Sequence, residues 1–147
     1  MTKEILARFE SATHEFLNAA RSVPAEKLEI APDEGEWPPS YVIHHLADSD
    51  AQFLVRFINV LSMDRPAIVR FDESTFPGAL DYPNRNIATS LTAIESSCAQ
   101  LVDILKNVDE AGWNRTGMHV ERGELTLSAL LELTTNHRIG HIDQISR

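Results

Sequence analysis

The chain has 147 residues, 43% of them apolar, and a formal net charge of −9 at pH 7, which suits one domain over residues 1–147 with a real core and is too little for two. The charge argues against nucleic acid and anionic membrane surfaces as main partners, and no apolar run approaches the roughly 20 residues that span a bilayer. The single cysteine, Cys98, excludes an internal disulfide; with an opening segment that does not read as a signal peptide, it points to a reducing, cytoplasmic location.

The spacing of Ile5, Leu6, Phe9, Thr13, Phe16, Leu17 and Ala20 predicts a first helix over 3–21, with His14 beside its apolar stripe. Pro24, Pro32, Pro38 and Pro39 then forbid a continuous helix, leaving room for one turn at 25–28. Trp37 ends this connection and is expected to plug the base of the core.

A second helix is predicted from Pro39 or Ser40 to Ser62. One face carries Val42, His45, Leu46, Ser49, Phe53, Arg56, Phe57 and Val60. Ile43, Ala47, Ala51, Leu54, Ile58 and Leu61 form a second apolar face, which either meets a neighbouring helix or another subunit. His44 falls on the far side from His45. Arg56 lies on the His45 face and needs a partner, either a carboxylate of another helix or an anionic substrate; general pairing of core charges favours the carboxylate.

Residues 63–86 form a long loop anchored by Phe71, Phe76 and Tyr82, of a length common in functional lids and rims. A third helix is predicted over 87–108, capped by Asn86, with Cys98 inside its stripe as a small core residue. The Arg122-Gly123 turn suggests a small hairpin around 118–126, with His119 exposed. Thr126 caps a fourth helix reaching the end of the chain, striped by Leu127, Leu130, Leu131, Thr134, His141, Ile142 and Ile145.

Four amphipathic helices predict an all-α four-helix bundle with long inter-helix loops. Within its last helix, His137 and His141 stand four residues apart on one face, and His45 is an inward histidine on another helix. Three imidazoles with open positions are the ligand count of catalytic zinc sites, and they suit nickel or iron equally. Arg138 follows His137, so the motif is not the His-Glu-x-x-His of metalloproteases.

The run Trp37-Pro38-Pro39-Ser40-Tyr41-Val42-Ile43-His44-His45-Leu46-Ala47-Asp48-Ser49 resembles the second helix of the DinB/YfiT-like superfamily. Phe53-Leu54-Val55-Arg56-Phe57, Phe71-Asp72-Glu73 and His137-Arg138-Ile139-Gly140-His141-Ile142 resemble later family segments in the right order. The resemblance implies a divalent metal, commonly nickel or zinc, on His45, His137 and His141. It also implies a small-molecule substrate, a hydrolase or low-molecular-weight-thiol S-transferase activity, and a homodimer. Asp48, Ser49 and Arg56 are candidate substrate contacts. Asp50 stands where close YfiT-like sequences carry a histidine, but points away from His45 on the helical wheel; Arg138 replaces a histidine inside the closing motif. The competing reading is a non-catalytic helical domain that dimerises or binds a small ligand, with structural histidines.

Overall fold

The structure is a computed structural model that describes residues 2–147. Helix α1, Thr2–Arg21, buries Phe9, Ala12, Thr13, Phe16, Leu17 and Ala20 at helical spacing. His14 is exposed. The proline-rich connection makes one 3-10 turn at Ala25–Lys27. It is stapled to the next helix where Ser40 N donates to Leu28 O at 2.9 Å and Ser40 Oγ to Glu29 at 2.9 Å.

Helix α2, Pro39–Ser62, starts on Pro39, whose fixed φ and missing N–H suit a first helical turn. Val42 through Ala47 are all buried, so both faces of its first half are covered within this chain. The second half keeps Phe53, Phe57 and Val60 inside but leaves Ala51, Val55 and Ile58 exposed. Helix α4, Ile87–Leu105, is capped by Asn86, which accepts from Thr89 N at 2.9 Å. It ends three residues before the expected Val108, because Asp109 already caps the short α5, Glu110–Trp113. Helix α6, Leu127–Ile145, is capped by Thr126, whose hydroxyl accepts from Ala129 N at 3.0 Å.

The four long helices pack around a ring in the order α1, α6, α2, α4. Thus α1 and α2 lie across a diagonal, as do α4 and α6, although each pair is consecutive along the chain. The long connections at 22–38 and 106–126 provide the reach for both crossings.

The bundle carries one addition. Strand β1, Ala67–Ile68, pairs in parallel with β2, Thr116–His119, which pairs antiparallel with β3, Gly123–Thr126. The hairpin was expected from its turn; β1 was not, because two residues show no alternation. The sheet lies tightly on α2: a Cβ on Gly117 would come within 2.8 Å of Ile68 and 3.0 Å of Val60. The loop between β1 and α4 is built from a 3-10 turn Glu73–Thr75, the short helix α3, Phe76–Ala79, and a 3-10 turn Tyr82–Asn84. None of the described helices is long and apolar enough to cross a membrane.

The apolar core is two clusters, one around Phe9, Phe57 and Leu131 and one around Phe16, Ile43 and Leu46. Between them along the helices lies a buried polar layer. Arg138 of α6 is paired with Asp50 of α2 and donates to Thr13 Oγ1 of α1 at 2.6 Å, with its guanidinium 4.9 Å from the Phe9 ring. Arg138 and Asp50 are 1% and 4% exposed, so this pair is fully withdrawn from water.

Candidate metal centre

The α2 and α6 helices are neighbours in the ring, and this brings His45 opposite the His137/His141 pair. Nε2 of His141 lies 3.1 Å from Nε2 of His45 and 3.1 Å from Nε2 of His137. Nitrogens bound at 2.0–2.1 Å to one tetrahedral ion stand about 3.3 Å apart, so the spacing matches a shared cation.

The proton inventory points the same way. Nδ1 of His141 donates to Gln144 Oε1 at 2.7 Å, which leaves its Nε2 with one in-plane lone pair. One lone pair cannot satisfy two neighbouring nitrogens. A cation at the centre would satisfy all three, so the donor set fits a metal ion.

The rings are held from outside the cluster. Trp37 packs against His45 at 5.3 Å between centroids, and Phe53 meets His137 edge-on at 5.2 Å. Ser49 Oγ lies 3.4 Å from the His45 ring nitrogens. Burial, helped by the neighbouring His141, pushes His45 down to about 4. Burial, with His141 and His45 beside it, takes His137 to about 3. Burial lowers His141 as well. All three are therefore neutral near pH 7, with lone pairs available without first losing a proton.

His137 and His141 open onto a cavity of about 690 Å³, also lined by Trp37, Glu73, Asn136 and Gln144. Glu36 and Arg147 close a 2.7 Å ion pair at its edge. The histidine cluster is thus not sealed under leucines.

The other candidates have different company. Asp48 is held by Arg85 in a two-pronged pair at 2.7 and 3.0 Å, which ties the 63–86 loop to α2. Ser49 is fully buried, so its hydroxyl faces the His45 ring and not the cavity. Arg56 corrects the expectation of a carboxylate partner. Its guanidinium lies 5.4 Å from the Phe53 ring and 5.1 Å from the Phe71 ring and donates to Val69 O at 2.8 Å. Two π faces and a carbonyl satisfy it, and it makes no ion pair among the described residues. His44, on the far side as expected, sits 2.7 Å from Ser90 Oγ. His119 is half-buried, not exposed, because its Nδ1 accepts from the Glu121 and Arg122 amides at 3.1 Å.

Helical spacing treats Asp50 and Arg138 singly, and the structure makes them a pair. The signal was there: Thr134 and Ile142 bracket Arg138 at i ± 4, and Ala47 and Phe53 bracket Asp50 at i ± 3. Glu73, which lines the cavity, stands in the Phe71-Asp72-Glu73 segment that carries part of the family resemblance, but its loop has no period to show where it faces.

Comparison with known proteins agrees with this architecture. The family model of the DinB superfamily matches residues 8–145. The protein named "Putative metal-dependent hydrolase OB0782" from Oceanobacillus iheyensis is 28% identical over 121 residues, covering 82% of this chain and 70% of that protein. YfiT from Bacillus subtilis, which carries the same functional name, is 26% identical over 142 residues, covering 94% and 80%. The solved structure of YfiT, described as a four-helix bundle of unusual topology, superposes with a TM-score of 0.86 at 24% identity over 99% of this chain and 86% of YfiT. A mutant of a mycothiol-dependent maleylpyruvate isomerase superposes with a TM-score of 0.81 at 14% identity, over 99% of this chain and 60% of the isomerase.

Proposed function

The chain belongs to the DinB superfamily, and on that premise we propose that it is a metal-dependent enzyme acting on a small molecule, with His45, His137 and His141 holding one divalent cation. The observation that carries the reading is the meeting of three Nε2 atoms, two of them on histidines that line an open cavity. A cluster serving only the fold has no need of that opening, which sets the non-catalytic reading second. The cavity's size lies within the roughly 300–1,000 Å³ typical of small-ligand sites. Three imidazoles suit nickel or zinc.

When bound, such a cation lowers the pKa of a water or thiol in its open position and polarises the group under attack. The chain's own residues do the positioning. Gln144 selects the His141 tautomer and aims its Nε2 inward. Trp37 and Phe53 pack against the other two rings and fix them. Either a water or a low-molecular-weight thiol has room at the mouth, giving a hydrolase or an S-transferase. The names of similar proteins lend support to both incoming groups: metal-dependent hydrolases, and a mycothiol-dependent isomerase that shares the fold. The exposed Val55 and Ile58 on α2 support a homodimer as the assembled form.

The test is metal content by elemental analysis of untagged protein, wild type beside His141→Ala, as purified and after incubation with nickel or zinc. Near one equivalent in the wild type, lost in the variant, is the expected result. No metal in either protein overturns the reading.

A further inference from the structure

A nucleophile activated at a three-histidine site must give up a proton, and ligand histidines have no free nitrogen in the cavity to take it. Of the side chains lining the cavity, Glu36 and Glu73 alone are carboxylates. Glu36 is committed to Arg147 at 2.7 Å. The Glu73 side chain makes no ion pair or side-chain hydrogen bond among the described residues, and it lines the same cavity as His137 and His141.

The local structure explains why Glu73, though exposed, is held at the cavity. Phe71 and Phe76 stack at 5.7 Å with their planes 15° apart, and Phe71 also packs on Phe53 beside the histidines. They pin both ends of a tight turn. Asp72 caps it, accepting from Ser74 N at 3.1 Å and Ser74 Oγ at 2.6 Å, while Thr75 Oγ1 donates to Asp72 O at 2.8 Å. Glu73 is thus the first residue of a braced turn, on a loop tied to α2 by Arg85 and Asp48.

We propose that Glu73 is the proton acceptor for the nucleophile at this site, an inference that rests on the metal-dependent reading above. One O–H or S–H bond of the incoming water or thiol breaks, and its proton passes to a Glu73 carboxylate oxygen. The electron pair stays on oxygen or sulfur and forms the bond to the electrophilic atom of the substrate. The bond from that atom to the departing group breaks, its electron pair leaves on the group, and the group takes the proton from Glu73, which returns to its carboxylate form.

The experiment uses cobalt(II)-loaded protein, whose visible bands report what fills the open position, with azide as probe. A carboxylate facing that position repels an anion and holds up the pKa of a bound water. Glu73→Gln is therefore expected to bind azide about three- to tenfold more tightly. The pH midpoint of the spectral change should also fall by about half a unit or more. Glu73→Asp, which keeps the charge, should stay within about twofold of wild type in azide affinity. Equal cobalt binding in wild type and Glu73→Gln, with either azide affinity or midpoint unmoved, overturns the role of Glu73 alone. Failure of the wild type to bind cobalt overturns the metal reading and this inference together.

Discussion

Gln144 accepts a hydrogen bond from Nδ1 of His141 at 2.7 Å, one turn beyond the histidine on the same helix. The bond fixes which ring nitrogen of His141 faces the cluster. Outer partners of this kind are worth about 10–100-fold in metal affinity. Gln144→Leu should weaken zinc binding by about that factor, measured by competition with a chelating dye, while leaving the apo protein folded.

Metal binding should stabilise the native state by mass action. At free zinc 100 times the Kd, the gain is about 2.7 kcal/mol. Thermal unfolding of the wild type should shift upward with zinc, and His45→Ala should show no zinc-dependent shift. An equal shift in both proteins would place the ion elsewhere.

The Asp50–Arg138 pair should be costly to break from one side. Asp50→Ala leaves Arg138 buried without its counter-charge, at a cost of about 3–5 kcal/mol. Replacing both together, Asp50→Leu with Arg138→Met, should recover most of that loss, as read by urea denaturation. A single variant as stable as wild type would show that the pair contributes nothing.

Stability of the apo protein should fall on acidification. His45 and His137 sit at about 4 and about 3 in the native state, below the 6.5 of the free side chain. Between pH 6.5 and about 4 the unfolded chain therefore binds protons that the native chain refuses, so stability present above pH 6.5 is lost as pH drops. Asp50 opposes this. Burial, against the pull of Arg138, raises it to about 6, so its contribution is greatest in acid and is lost as pH rises through that value. Two histidines outweigh one carboxyl, and urea denaturation at pH 5 should show about 2–3 kcal/mol less stability than at pH 7.

Much of the molecule was legible in the sequence because helices write their burial at a fixed period. The four long helices, the caps Asn86 and Thr126, and the inward positions of His45 and Cys98 all follow from residue spacing. So does the His137/His141 pair, since residues four apart share a helix face in any packing.

Contacts between elements have no such period. Only packing decided that α1 and α2 lie across a diagonal, setting α2 beside α6 and His45 within 3.1 Å of His141. It also decided that Arg56 lies against aromatic rings instead of a carboxylate, and that Asp50 finds Arg138. It set Glu73, on a loop without pattern, at the mouth of the histidine cluster. A sequence determines which side of each helix avoids water, because hydrophobic burial is local and non-directional. Which polar groups meet on those sides depends on the mutual placement of helices, and only the folded chain supplies it.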